Sequence, residues 1–245
     1  GAIGRCHRMK TVFINGSPKK RFSASGYFGK LQSIFIRGQK FFLRLRTKSD
    51  HKKIFEQITD ADSVIFLLPL YVDCAPSHIL SFLREMESFC KEHKIELKIY
   101  AIANNGFIEG TQNAALFRVM ENFCTRSDLL WCGGIGIGGG VMFNALKVVL
   151  MIECGIFLLS VLISGIFYAN WLPRDAIQGF LFALLVIFAL HADAIFYMMK
   201  MGSKVNKGNV LGEKYTRILL PSFLFILIAD VFFTIVSLFK GGLFR

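Results

Sequence analysis

Three short stretches of this 245-residue chain carry residue types suited to a phosphate and a flat ring. The first is Asn15, Gly16, Ser17 and Pro18, followed by Ser23, Ala24 and Ser25. Small residues let backbone amides turn toward an anion, and the hydroxyls of Ser17, Ser23 and Ser25 add donors. A helix starting at Ser23 would present its positive end to the same anion. Together they suit a phosphate monoester. No G-K-[ST] follows, so this is not a Walker loop. The second stretch is Pro69, Leu70, Tyr71 and Val72, which closes the apolar run 66–68 and precedes Asp73 and Pro76. The third is Asn104, Asn105, Gly106 and Phe107. Both offer backbone amides at a strand end, and Tyr71 adds an aromatic ring against which a flat ligand can lie.

Other candidates carry less. The run from Gly134 to Gly139 formally matches G-x-G-x-x-G. A dinucleotide fingerprint belongs after the first strand of its unit, with an acid about 20 residues on. Here the run follows the last strand, and the next acid is Glu153 in an apolar helix. Close packing is the better reading. Cys74 and His78, four apart, could form a nucleophile pair, but Pro76 makes the stretch a turn into a helix. Cys90 and His93 are no better as a metal pair. Asp60 and Asp62 precede a buried strand and read as turn residues. No side-chain general acid or base is assigned, and no metal. The six cysteines include no C-x-x-C pair, which fits reduced thiols.

The elements that must position these loops alternate. Strands are expected at 11–14, 41–45, 63–68, 95–103 and 129–137. Helices are expected at 23–37, 51–58, 77–90 and 111–124, with apolar residues such as Phe28, Leu31 and Phe35 at helical spacing. The alternation predicts an α/β domain with a five-stranded, doubly wound parallel sheet over residues 9–142. Open sheets of this kind bind ligands beyond the carboxyl ends of their strands, where all three stretches fall. A final covering helix is expected to start near Phe143 and to run on into the following apolar sequence.

Residues 143–245 read as membrane. The chain is 53% hydrophobic with a mean hydropathy of +0.49, above the range of ordinary globular domains. Three apolar stretches, at about 148–168, 176–199 and 218–239, are each long enough to cross a bilayer. Tyr168, Trp171 and Tyr197 lie at their ends, as interfacial aromatics do. The segment 200–217 holds Lys200, Lys204, Lys207, Lys214 and Arg217 against Glu213 alone. The positive-inside rule then places that segment and the α/β domain in the cytoplasm, at the cell membrane. The polar, basic start shows no signal peptide, and Met9 reads as a natural start. Glu153, His191, Asp193 and Asp230 fall inside the apolar stretches. They read either as a proton or substrate path or as glue between helices.

The formal net charge is +12, and residues 1–60 hold 14 Lys or Arg against 3 Asp or Glu. That balance suits phosphate ligands or an anionic lipid surface, or is simply a solvated face. Nucleic acid is set aside, because no reader motif accompanies the charge.

The quoted stretches, Asn15 to Pro18, Ser23 to Ser25, Pro69 to Pro76 and Asn104 to Gly106 with the sequence up to Gly140, resemble the flavodoxin-like NAD(P)H-dependent oxidoreductases, the NADPH-dependent FMN reductase group. The resemblance covers about residues 9–142. It implies that Gly16, Ser17, Pro18, Ser23 and Ser25 hold the phosphate of FMN. It further implies that Pro69, Leu70, Tyr71, Val72, Asn104, Asn105, Gly106 and Phe107 line the flavin ring. The implied activity passes electrons from NAD(P)H or a protein donor to a small molecule or a quinone, with a homo-oligomer as a further expectation. Three departures stand out. Lys19 replaces the family's usual Arg, the segment 46–50 is too short for an iron–sulfur cluster, and the apolar stretches lie outside the family pattern. The alternative is a non-catalytic, membrane-anchored binding or signalling protein.

Overall fold

The computed structural model describes residues 8–19, 23–71, 74–171, 173–219 and 221–239, without the side chains of 141–148, His191 and parts of the last helix. Six strands form one sheet. They are β1 (Lys10–Asn15), β2 (Gln39–Arg44), β3 (Ser63–Pro69), β4 (Lys98–Asn104), β5 (Leu130–Ile137) and β6 (Gly212–Tyr215). The helices are α1 (Ala24–Ile34), α2 (Ser49–Ile58), α3 (Ser77–His93), α4 (Ala114–Arg126), α5 (Gly140–Tyr168), α6 (Arg174–Asn206) and α7 (Ser222–Phe239), with a 3₁₀ turn at Gly110–Asn113. The strand order is β2-β1-β3-β4-β5-β6, and every neighbouring pair is parallel. The first five follow the 2-1-3-4-5 order of doubly wound, flavodoxin-like sheets.

Strand alternation divides the core into two layers. Val12, Ile14, Val64, Phe66 and Leu68 face α2, α3 and α4, which contribute Ile54, Phe82, Met86, Phe117 and Phe123. Phe13, Ile65, Leu67, Tyr100, Ile102, Ile135 and Ile137 face the other way. That second face is covered by Phe28 of α1 and by Ala194, Met198, Met201 and Val205 of α6. Both faces of β3 are thus dry, which is why its sequence is an unbroken apolar run. At the amino-terminal edge, Asp62 accepts the Lys10 amide at 2.7 Å, and Asp60 pairs with the Lys10 ammonium. Both acids do structural work at a turn, as their positions suggest.

Two expectations are corrected here. The sheet has six strands rather than five, and the added strand comes from residues assigned above to a cytoplasmic loop of the membrane region. β6 is short and polar, so no apolar run marks it. It is admitted because β5 is rich in glycine. A Cβ on Gly133 would stand 2.6 Å from the Gly212 nitrogen, and one on Gly136 would stand 2.7 Å from the Tyr215 ring. Gly134 and Gly136 lie within the strand and let neighbours approach, and only Gly138 and Gly139 turn after it, which is not the arrangement of a dinucleotide loop. The final covering helix is also different from the one expected. It is the second half of α6, whereas α5 packs against α1 and α6 and exposes its large apolar side chains from Val149 onward.

Three spans reduce to one by length and composition. Among the described residues, one helix is long and apolar enough to cross a membrane by itself, Val149–Tyr168 within α5. A second would need α6 to count as one span, but it bends by 58° between Arg174–Leu190 and Ala192–Asn206. The third stretch becomes α7, 18 residues long. α5 and the first half of α6 form an antiparallel hairpin, with the Phe157 and Phe180 rings stacked at 4.7 Å. Trp171 closes its turn against Gly165.

Candidate functional site

The three stretches meet at the carboxyl edge of the sheet because each continues the strand ladder by one more bond. The Gly16 amide donates to Leu67 O at 3.0 Å, Leu70 N to Asn104 O at 2.8 Å, and Asn105 N to Ile137 O at 3.1 Å. A cleft opens between them, lined by Ser17, Lys19, Ala24, Ser25, Pro69, Leu70, Tyr71, Asn104, Asn105, Gly106 and Gly140.

Each wall has its own local cause. In the first loop, Asn15 Oδ1 accepts the Ser17 amide at 3.0 Å and turns the chain sharply after β1. Ser23 is the N-cap of α1, its hydroxyl accepting the Gly26 amide at 3.1 Å. In the second loop, Tyr71 and Cys74 exchange both backbone bonds at 3.0 Å. The loop therefore doubles back at once and leaves the Tyr71 ring 43% exposed at the rim. In the third, Asn105 is fully committed to its own loop. Its side chain donates to Glu109 O and accepts the Phe107 amide, both at 3.0 Å, and its carbonyl accepts the Gly140 amide at 2.6 Å.

Spare polar capacity lies elsewhere. Ser25 and Asn104 are both buried, yet their side chains meet only at 3.4 Å, at the weak end of hydrogen bonding. The Ser17 hydroxyl, also buried, accepts only the Lys19 amide at 3.4 Å among the bonds described. Two buried, weakly satisfied serines around the start of a helix, beside an exposed lysine, form a donor set that fits a phosphate monoester, and Asn104 lies between them and the ring wall. Pro69, Leu70 and Tyr71 offer an apolar and aromatic wall opposite.

Not every expected residue lines the cleft. Ser17, Ser25, Pro69, Leu70, Tyr71, Asn104, Asn105 and Gly106 do. Gly16 and Ser23 hold the walls from behind through the bonds given above. Pro18 is exposed outside the lining, and Phe107 is turned out with 59% of its surface exposed. Val72 lies outside the described residues, as do Lys20 and Arg21. Ala24 and Gly140 were not singled out from sequence, and Lys19 only as a departure and a source of charge. Gly140 could have been found, because the loop after β5 ends at the same edge as the other three.

One further residue positions the site. His78, at the start of α3, places Nε2 3.0 Å from Gly16 O and so pins the first loop to α3. That bond occupies one ring nitrogen, and among the hydrogen bonds of the described residues none joins His78 to Cys74, so the nucleophile pair has no support. The core thiols are inert for a different reason. Burial pushes Cys90 up to about 11 and Cys124 up to about 12, far from the thiolate a nucleophile needs. Among the described residues, no three His, Cys, Asp or Glu side chains gather as a metal site requires.

Of the ionisable residues expected inside the membrane, Asp193 is the best resolved. Its carboxylate accepts the Arg217 amide at 2.7 Å and so ties α6 to the chain leaving β6. It sits at the junction with the sheet, in a structural role. Glu153 is half-buried on α5, Asp230 is exposed on α7, and the His191 side chain lies outside the described residues.

No protein-family model matches the chain, and no curated protein matches it. Several solved structures are similar over about half of it. One is the Trp repressor binding protein from Bacillus subtilis, at 16% identity and a TM-score of 0.44, covering 53% of this chain and 84% of that one. Another is the flavodoxin, WrbA-like protein from Agrobacterium tumefaciens, at 11% and 0.43, covering 50% and 76%. A third is the NAD(P)H:quinone oxidoreductase from Methanothermobacter marburgensis, at 15% and 0.39, covering 48% and 77%. Likeness at this level assigns no family. The class follows from the chain's own strand order and from the placement of its cleft: a flavodoxin-like α/β domain with a cleft at the switch point and an apolar helical extension.

Proposed function

We propose that this chain is a membrane-anchored flavoprotein oxidoreductase that binds FMN in the cleft at the carboxyl edge of the sheet. The observation that carries this reading is the convergence of three loops on a cleft with a polar end and an aromatic end. Ser17, Ser25 and the start of α1 hold the phosphate, with Ser23 capping that helix and Lys19 supplying charge. Gly16 and Pro18 shape that loop. Pro69, Leu70 and Tyr71 bound one side of the ring, and Asn104, Asn105 and Gly106 bound the other. FMN bound there supplies hydride acceptance and onward electron transfer, chemistry that belongs to the cofactor. The protein's part is to fix the ring, exclude water from its buried face and leave the Tyr71 side open to NAD(P)H or to a protein donor. No side chain is required to move a proton. The acceptor is a small molecule or a quinone.

The apolar helices anchor the domain, with the α/β part on the cytoplasmic side. The exposed apolar surface of α5 and of the first half of α6 supports this, since soluble chains rarely leave so much uncovered. The test is spectroscopic. Protein purified in detergent should be yellow, with the visible absorption of oxidised flavin. Ser25→Ala with Lys19→Ala should lose bound FMN. Colourless protein that takes up no added FMN would overturn the reading in favour of a non-catalytic binding or signalling role.

A further inference from the structure

The cleft and the apolar helices share one edge of the sheet. Gly140 lines the cleft and is also the first residue of α5. α6 returns to the fold at that edge, where Asp193 meets the Arg217 amide. α7 leaves from the same place, with Phe225 and Ile218 buried in the layer beneath. Gly139, at φ 65°, makes the turn that sends α5 outward, and its amide donates to Phe107 O.

Distance makes this placement consequential. Val149, where the bilayer-length segment begins, lies nine positions after Gly140. That is about 14 Å of helix, and less along the membrane normal when the helix tilts. The headgroup layer itself takes up roughly 5–8 Å on one side of a bilayer. The gap that remains is about the reach of an aromatic side chain on a loop. Two such side chains stand there. Phe107, beside the cleft, is 59% exposed, and Tyr71, on the rim, is 43% exposed. Lys19 is exposed at the same opening. Exposed aromatics next to a cation match the chemistry of a lipid interface, and a net charge of +12 matches an anionic leaflet.

We propose that the carboxyl edge of the sheet is itself a bilayer-contact surface. Phe107 and Tyr71 enter the headgroup layer of an anionic membrane, and the cleft opens into that layer rather than into bulk water. Ligands of the cleft then approach along the lipid surface. The proposal rests on the membrane anchoring given above but does not depend on FMN.

The test uses the full chain reconstituted in phosphatidylcholine and phosphatidylglycerol vesicles whose lipid chains are brominated close to the headgroup. Phe107→Trp reports the proposed contact, Glu96→Trp reports the opposite edge just before β4, and each is read as a difference from the parent protein. Trp171, at the hairpin turn, reports the anchor in a Trp131→Phe background. Expected is quenching of Trp at 107 by brominated lipid, with at least about a twofold loss of quenching by aqueous acrylamide relative to detergent. Trp at 96 should change in neither respect. If Trp171 becomes shielded from acrylamide added outside the vesicles but Trp at 107 stays as accessible as in detergent, this inference fails and the anchor stands. If Trp at 107 is shielded from acrylamide yet not quenched by lipid, a second copy covers the surface and the inference fails. If neither tryptophan responds, the anchor and the inference fail together.

Discussion

The two halves of α6 are both rich in apolar residues, yet they meet opposite environments. In Ala192–Asn206, Ala194, Met198, Met201 and Val205 are all buried against the sheet. Their spacing of four, three and four is one helical stripe. Lys200 and Lys204 lie off that stripe, and Asn206 donates to Phe35 O while accepting the Arg37 amide. Gln32 donates to Met198 O from a fully buried position. In Arg174–Leu190, by contrast, Leu181, Phe182, Leu185 and Phe188 are all more than half exposed, and apolar residues surround the helix. A stripe specifies a protein surface to pack on. An all-round apolar helix specifies a medium.

The sharpest way to break this contrast is to truncate one residue on each side. Met198→Ala should cost the folded domain about 2–5 kcal/mol, the range for buried large-to-small changes. Leu185→Ala should cost within about 0.5 kcal/mol, because no protein packing is lost. Denaturant titration of the full chain in detergent, followed by circular dichroism, reads both. Equal losses would mean that the outer half is packed after all. A charge separates the halves differently. Phe182→Arg should leave that denaturation midpoint unchanged but oppose membrane insertion by about 2.5–3.5 kcal/mol. The measurement is the fraction of chain that resists alkaline extraction from membranes. Full retention would show that α5 holds the chain in the membrane without the outer half of α6.

Much of this contrast was readable in advance, and the part that was not has a physical cause. Hydropathy averaged over residues 176–199 merges the two halves, since alanine, methionine and phenylalanine score alike in a stripe or in a shell. The stripe at 194, 198, 201 and 205 is present in the sequence but extends past the apolar window into Lys200 and Lys204, beyond the end of the expected span at 199. β6 escaped because Gly212, Glu213, Lys214 and Tyr215 form an edge strand that needs no apolar run. The α/β core was plain from β3 and β4, whose dryness on both faces leaves continuous apolar sequence. The loops at the cleft were visible as strand ends. The division of labour inside them was not, since sequence alone cannot tell that Asn105 spends its side chain on its own loop while Asn104 keeps its capacity.

Two glycines of α6 sharpen the comparison at smaller amplitude. A Cβ on Gly202 would stand 2.5 Å from Phe35 Cβ and 2.7 Å from Phe35 O, so α1 and α6 touch there backbone to backbone. Gly179 has nothing within 4 Å. Gly202→Ala should destabilise by about 1–3 kcal/mol through overpacking. Gly179→Ala should stabilise its helix by about 0.5–1 kcal/mol, since glycine is the poorer helix former. Opposite signs of the change in midpoint are the expected result.

The smallest effect asks whether the sheet's other face unfolds together with the packed half of α6. Glu87 on α3 is held below the usual glutamate range by hydrogen bonds from Lys91 and from Arg126 of α4. A carboxylate so lowered stabilises the fold fully above its ordinary value near 4.5, and the contribution fades as pH falls through the folded-state value. For so accessible a pair the effect is about 0.2–1 kcal/mol. Glu87→Gln should therefore lower stability slightly at neutral pH and flatten the acid side of the profile. If the two faces form one cooperative unit, probes on α3 and on the packed half of α6 will report the same shift in midpoint. A shift seen on α3 alone would show that α6 joins the sheet as a separable layer.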